Sequence, residues 1–173
     1  MDVNAFGLAA GRKHANVPNV RLGEQRPQID EKAYDQNDQV VAADLNNFAG
    51  LLQAQGDLAE ARPLYERALA IREKVAGPEH PDTATSLNNL AFLLESQGDL
   101  AGARPLYERA LAIFEKILGP EHPNTASSLN NLAGLLQAQG DLAGARPLFE
   151  HALANRETAF GPEHPDTASS LNN

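Results

Sequence analysis

The segment LNNLAFLLESQGDLAGARPLYERALAIFEKILGPEHP, residues 87–123, decides the fold of this 173-residue chain. Its first half carries apolar residues at the helical spacing i, i+3, i+4 and i+7, namely Leu87, Leu90, Ala91 and Leu94. A second helical series follows, consisting of Leu100, Ala103, Tyr107, Ala110, Leu111, Phe114 and Leu118. Gly98 is suited to end the first helix and Asp99 to cap the start of the second. So short a turn predicts that the two helices run antiparallel.

The same segment recurs along the chain with a period of 42 residues. GPEHP begins at positions 77, 119 and 161, and LNN begins at 45, 87, 129 and 171. Residues 81–122 match residues 123–164 at 30 of 42 positions, and they match residues 39–80 at 29. The sequence therefore predicts these three units and a partial unit at 165–173. A leader, residues 1–38, has no sustained apolar period and is expected to be mostly disordered.

Each unit is predicted to be a hairpin of two helices, which we call helix A and helix B, in an all-α fold. One hairpin cannot bury its apolar stripe alone, but stacked hairpins bury each other's, and about three are needed for stability. Ala91, Ala103 and Ala110 are small enough to let helix axes approach closely. Because only 5% of the residues are aromatic, Ala and Leu must supply most of the core.

The composition narrows the choice of partners. Residues 39–173 hold nine Lys or Arg and seventeen Asp or Glu, which gives −8 of the total net charge of −9. No basic cluster is present, so nucleic acid is not expected, and a basic partner is favoured. There is no Cys for disulfides or thiol chemistry. Neither a signal peptide nor a run of ~20 apolar residues is present, so we expect no membrane partner and a cytoplasmic location.

No pattern in the sequence predicts catalysis, a cofactor or a metal ion. Motifs for phosphate loops, dinucleotide binding, zinc proteases and serine hydrolases are all missing from the sequence. His80, His122 and His164 each follow a Glu within GPEHP, but copies one repeat apart cannot converge on one ion. We expect these histidines to seat the connection from one hairpin to the next.

The fixed positions of the unit resemble the tetratricopeptide repeat (TPR), with the pattern Leu87-x2-Leu90-Ala91-x2-Leu94 followed by Ala103-x3-Tyr107-x2-Ala110. The period of 42, longer than the usual ~34, and the GPEHP loop resemble the kinesin light chain type of this family. The resemblance covers residues 39–173. It implies a right-handed superhelical solenoid of antiparallel hairpins, whose A helices line a concave groove that binds a peptide.

Carried over to this chain, the resemblance places seven side chains in the groove: Asn46, Gln53, Asn88, Phe92, Glu95, Asn130 and Gln137. A helical wheel agrees, because Asn88, Phe92 and Glu95 fall about 80–140° from Leu87, on one flank of the buried stripe. An asparagine amide can both donate to and accept from a peptide backbone. The alternative interpretation is that the asparagines bond between adjacent repeats and bind no ligand.

Two aromatic residues are particular to the middle unit. Phe114 stands where the other units have arginine, and we favour a core position for it. Phe92 stands where the other units have Gly50 and Gly134, and both a groove contact and a core position remain open for it.

The leading hypothesis is a non-catalytic scaffold that binds a protein or peptide segment, with no cofactor. The alternative is an assembly element. It would associate with itself through an open C-terminal end, or belong to a longer TPR signalling protein of which this chain is a fragment.

Overall fold

The computed structural model describes residues 37–161, which contain six α-helices and no strand. In chain order these are α1 (Asn37–Gln55), α2 (Leu58–Val75), α3 (Pro81–Ser96), α4 (Leu100–Leu118), α5 (Pro123–Ala138) and α6 (Leu142–Phe160). The A helices α1, α3 and α5 each pack on the B helix that follows, and the hairpins contact each other through α2 with α3 and α4 with α5. The prediction of an all-α solenoid of antiparallel hairpins is confirmed. The partial unit 165–173 and nearly all of the predicted leader lie outside the described residues.

The turn inside the middle hairpin is a Schellman motif. Gly98 has φ +82°, and its N–H donates to the carbonyl of Glu95 at 2.9 Å. The N–H of Asp99 donates to the carbonyl of Leu94 at 2.8 Å. The Asp99 side chain in turn accepts from the N–H of Gly102 at 2.9 Å. Gly98 thus ends α3 and the Asp99 side chain caps α4, as predicted.

The helix contacts are made by alanine, as the composition suggested. Ala91, Ala103 and Ala110 have no exposed surface, and the equivalent alanines of the neighbouring hairpins are at most 3% exposed. Without side chains beyond Cβ, these positions let the helix axes approach and let leucines from both sides fill the remaining space. Phe114 is buried in the cluster of Ala84 and Leu87, so its core position is confirmed.

The GPEHP loops are fixed by their histidines. His80 and His122 are the N-cap residues of α3 and α5, and in each the Nδ1 atom accepts from the backbone N–H two residues on, at 3.1 Å. A proline follows at the first helical position, where a missing N–H leaves nothing unsatisfied. Their predicted seating role is confirmed, whereas His164 lies outside the described residues. Between residues 37 and 161, no three His, Asp or Glu side chains come together as a metal site.

Candidate functional site

Tyrosines of the B helices hold the polar side chains of the first two A helices. The hydroxyl of Tyr65 donates to Oε1 of Gln53 at 3.2 Å, and the hydroxyl of Tyr107 donates to Oε2 of Glu95 at 3.0 Å. Burial raises the pKa of Tyr65, and burial together with the Glu95 carboxylate raises the pKa of Tyr107 above its usual range. A tyrosine hydroxyl is protonated at neutral pH even without such a shift, so both groups act as donors. They hold the side chains of Gln53 and Glu95 from within the core.

The third hairpin lacks this arrangement. Phe149 stands at the position of Tyr65 and Tyr107, so no hydroxyl is available to the exposed Gln137. Gln137 instead lines a cavity of about 290 Å³ beside α6, together with Leu142 and Phe149. The surroundings of Gln137 therefore differ from those of Gln53 and Glu95, which are both held by a tyrosine.

A larger cavity, of about 460 Å³, lies between the first and second hairpins. Its lining mixes apolar and polar groups, namely Gly50, Gln53, Ala54, Leu58, Tyr65, Phe92 and Ser96. Nε2 of Gln53 donates to Oγ of Ser96 at 3.2 Å and so connects α1 to α3 at this cavity. The Phe92 side chain is 56% exposed, which places it on the surface rather than in the core. The structure thus brings Gln53 and Phe92, both predicted from the sequence, to the same cavity.

Phe92 has a glycine at the equivalent position of both neighbouring A helices. A Cβ atom at Gly50 would lie 3.4 Å from the Tyr65 hydroxyl, in ordinary contact, and one at Gly134 would meet nothing within 4 Å. Neither glycine is required by its backbone or by close packing. Their effect is to leave space on each side of an exposed aromatic ring.

The first asparagine of each LNN triplet faces the next A helix. Asn46 is buried, and its Nδ2 donates to Oγ of Ser86 at 3.1 Å. Asn88 is half-buried, and its Oδ1 accepts from Oγ of Ser128 at 3.3 Å. These are bonds between adjacent repeats, of the kind that the alternative interpretation expected. A role for these amides in peptide binding stays a prediction.

Asn130 has a partner within its own hairpin. With its amide turned so that Oδ1 faces α6, Asn130 accepts from both terminal nitrogens of Arg156, at 2.9 and 2.8 Å. Asn88 also lines a smaller cavity of about 190 Å³ between α3 and α5, beside Asn89 and Asn131. The predicted site residues therefore lie along one series of A helices without converging on a single pocket.

Sequence reasoning missed the tyrosines and serines that hold these side chains. The sequence places Tyr107 on the buried stripe of the middle unit, and the structure buries both Tyr107 and Tyr65. The recurrence of tyrosine 12 residues after Gln53 and after Glu95 was the available indication. The partner serines, Ser86 and Ser128, lie at equivalent positions 42 residues apart in the sequence.

The repeats match a model of the tetratricopeptide repeat over residues 40–116, 82–158 and 125–173. The chain belongs to the tetratricopeptide repeat family. TPR arrays generally mediate protein–protein interactions and bind proteins or peptides, typically without catalysing a reaction. No curated protein matches the chain.

Two solved TPR structures are similar to this chain, and the second is described as a putative kinesin light chain. BtubC (BKLC) from P. vanneervenii has a TM-score of 0.73 and 26% identity, over 82% of this chain and 56% of that one. A putative kinesin light chain with nearly identical TPR-like repeats, from Podosopora anserina, has a TM-score of 0.72 and 30% identity, over 79% and 64%. This chain thus spans less than two thirds of either. The predicted resemblance to the kinesin light chain type is confirmed.

A third TPR structure shares the fold alone. The N-terminal domain of stress-induced protein-1 (STI-1) from C. elegans has a TM-score of 0.57 and 17% identity, over 80% of this chain and 97% of that one. Within the described part of this TPR chain, none of the helices has the length and apolar character that crossing a bilayer requires.

Proposed function

We propose that this TPR array is a non-catalytic scaffold that binds a peptide segment along its A helices, centred on the cavity between the first two hairpins. The observation that carries the proposal is the exposed ring of Phe92 beside a cavity of about 460 Å³. Single exposed apolar side chains are common and need no explanation. An exposed ring next to a cavity that also contains polar groups is the usual composition of a ligand site.

The lining of the cavity suits an apolar side chain of a peptide. Ala54, Leu58 and Phe92 supply apolar contacts, while the Gln53 amide supplies polar contacts for the peptide backbone. The Ser96 hydroxyl donates to the carbonyl of Phe92 at 2.8 Å, so towards a peptide it acts as an acceptor. Gln53 is already held by Tyr65 and Ser96, so little side-chain freedom is lost on binding. An anchor in the cavity with backbone contacts around it is therefore the expected mode of binding.

Charge favours a basic peptide. Glu95 lies on the same A helix as Phe92. Among the bonds described, its carboxylate accepts one hydrogen bond, from the Tyr107 hydroxyl to Oε2. The repeats carry most of the chain's net charge of −9. A lysine or arginine next to the apolar anchor would find an acidic surface, and binding should weaken as salt is added.

The other predicted residues extend this surface along the array. Asn88, Asn130 and Gln137 follow on α3 and α5, where amides can pair with a peptide backbone of any sequence. In this proposal the buried Asn46 supports the binding surface from the inside, because its hydrogen bond to Ser86 connects α1 to α3.

A phage-displayed library of random peptides, selected against the whole chain, tests the proposal. Binding of enriched peptides is then measured by fluorescence anisotropy for the wild type, Phe92→Ala and Gly50→Leu, the last of which fills the cavity. We expect both changes to weaken binding by about tenfold or more, as for an anchor contact at an interface. Ile117→Ala is the matched control, because Ile117 is 49% exposed but lies on a B helix.

The proposal fails if no peptide is enriched. It also fails if the enriched peptides bind all four proteins equally well, because the cavity then plays no part. Circular dichroism of each variant confirms that the helices are retained, so that a loss of binding is not a loss of fold.

A further inference from the structure

The position of Phe114 is occupied by arginine in the other two units, namely Arg72 and Arg156. These two arginines show where a guanidinium lies in this repeat. Arg72 of α2 donates through Nη1 to the backbone carbonyl of Asp82, in the first turn of α3, at 2.6 Å. The guanidinium of one B helix thus reaches the start of the next A helix.

Arg156 adds a second acceptor. Its two terminal nitrogens donate to Oδ1 of Asn130, in the amide orientation given above, at 2.9 and 2.8 Å. Asn130 lies on the A helix of the same hairpin. A guanidinium at this position of the repeat therefore lies between the A helix of its own hairpin and the A helix of the next one.

In the middle unit, the groups equivalent to both acceptors line one cavity. Asn124 corresponds to Asp82, and Asn88 corresponds to Asn130. Both line the cavity of about 190 Å³ between α3 and α5, together with Phe114 itself. The Phe114 side chain is only 2% exposed, because its ring packs into an apolar cluster of the core. The cavity therefore corresponds to the place that an arginine head group takes in the other units.

The rest of the lining suits a group that only donates hydrogen bonds. The Thr85 hydroxyl donates to the carbonyl of Pro81 at 3.1 Å, which leaves its oxygen as an acceptor towards the cavity. Asn89 and Asn131 make no hydrogen bond within residues 37–161, so their amide oxygens can also accept. A guanidinium carries five N–H donors and no acceptor, which matches this lining.

The surrounding charge favours a cation. None of the residues that line the cavity is charged, and the chain as a whole has a net charge of −9. Asn124 replaces an aspartate, but Arg72 donates to the backbone carbonyl of that aspartate. The acceptor that the guanidinium uses is therefore still present in the middle unit.

We propose that this cavity, which we call the guanidinium site, binds the side chain of an arginine in the peptide ligand. The inference rests on the proposed function, because the peptide supplies the arginine. Thr85 at this site and Phe92 at the larger cavity lie seven residues apart on α3, which is ~10 Å at ~1.5 Å per residue. An extended chain covers that distance in about three residues. The arginine should therefore lie at least three residues from the apolar anchor.

An NMR titration of the isotope-labelled whole chain with N-acetyl-arginine methylamide tests the site without a peptide. We expect the amide signals of Asn89 and Asn131 to shift with this probe. They should shift far less with the citrulline analogue, in which a neutral urea of the same shape replaces the guanidinium. This comparison separates a guanidinium site from a site for any small polar group.

Phe114→Arg supplies the chain's own guanidinium, as in the other two units, and should abolish the shifts. Ile117→Arg is the matched control, because it adds the same charge to the same helix at a position that is 49% exposed and outside the cavity. Ser127→Phe fills the site from an exposed position of the lining, without a change in the core, and should act like Phe114→Arg. Circular dichroism checks that each variant is folded.

The enriched peptides provide the second measurement, by a double-mutant cycle. Changing the arginine of a peptide to citrulline should weaken its binding to the wild type by about tenfold or more, as for a buried anchor. The same change should have little further effect on Phe114→Arg, in which the site is already filled. Phe92→Ala should weaken the peptide but leave the shifts caused by the arginine probe.

Two results would overturn the guanidinium site. One is an arginine probe that causes no shift at Asn89 and Asn131, or no more than the citrulline probe does. The other is that Phe114→Arg and Ser127→Phe bind probe and peptides as the wild type does. Either result leaves the proposed function standing if the peptides still lose affinity with Phe92→Ala. If no peptide is enriched while the arginine probe behaves as expected, the proposed function fails and the site does not.

Discussion

Asn46 and Asn88 occupy equivalent positions but differ in how far they are withdrawn from water. Asn46 is 8% exposed and its bond to Ser86 measures 3.1 Å, whereas Asn88 is half-buried and its bond from Ser128 measures 3.3 Å. Both partner serines, Ser86 and Ser128, are fully buried, so the difference between the two sites lies in the asparagine, since water reaches the half-buried Asn88 more easily than Asn46. Identical residues one repeat apart should therefore differ in how much they stabilise the fold.

We expect Asn46→Ala to lower the free energy of unfolding by about 1 kcal/mol. Asn88→Ala, the matched change one repeat on, should lower it by less, because water can replace part of the lost bond. Urea denaturation followed by circular dichroism measures both. Equal losses, or a larger loss for Asn88→Ala, would show that burial of the Asn46 amide does not decide its contribution.

At the scale of the helix, α4 and α6 each donate a hydrogen bond to the equivalent carbonyl of the preceding GPEHP loop, but through different side chains. At the first junction, Arg109 donates through NH2 to the carbonyl of Pro78 at 3.1 Å. At the second junction His151 stands in place of that arginine, and the equivalent carbonyl, that of Pro120, accepts from Asn155 instead. Asn155 lies one helical turn beyond His151 and is 5% exposed. The loss of a guanidinium is thus compensated by an amide on the same helix.

This exchange explains why Asn155 replaces the apolar Ile113 of the preceding unit. In the sequence, Asn155 makes the end of α6 more polar than that of α4, as for a surface that faces water. The structure shows that Asn155 instead points inward, into the contact with the preceding loop. A helical wheel gives the side of the helix on which a residue lies, but not the carbonyl that faces it.

We expect Asn155→Ala to lower the free energy of unfolding by about 1 kcal/mol, because the Pro120 carbonyl loses its donor. The double variant His151→Arg with Asn155→Ala should recover part of this loss, since arginine restores the arrangement of the first junction. A double-mutant cycle by urea denaturation measures the coupling between the two positions. If the two changes are simply additive, the proposed compensation is wrong.

At the scale of the whole molecule, the sequence predicted the features that repeat along the chain. It missed the contacts that depend on how one helix is oriented against another. The 42-residue period predicted the hairpins, and Gly98 and Asp99 predicted their turns, because both are local consequences of backbone geometry. The exposure of Phe92 could not be settled, since it depends on whether a neighbouring helix covers that flank. The bonds of Tyr65 and Tyr107 to the A helices were missed for the same reason. They depend on how far each B helix is rotated against its partner.

The stacking itself predicts how stability is distributed along the array. Among residues 37–161 each hairpin contacts only its neighbours, so within this range the middle one, α3 with α4, is covered on both sides and the outer ones on one side. Local opening should therefore begin at the outer hairpins. The LNN triplets offer a direct comparison, because Asn47, Asn89 and Asn131 lie in nearly the same sequence and have similar intrinsic exchange rates.

In dilute solution we expect the amide of Asn89 to exchange more slowly than that of Asn47, by about tenfold or more, which corresponds to ~1.4 kcal/mol of opening free energy. Native-state hydrogen exchange, followed by mass spectrometry or NMR, measures both amides in one sample. Uniform protection of the three triplets would mean that the hairpins open together as one unit, and that coupling between neighbours outweighs the missing contacts at the ends.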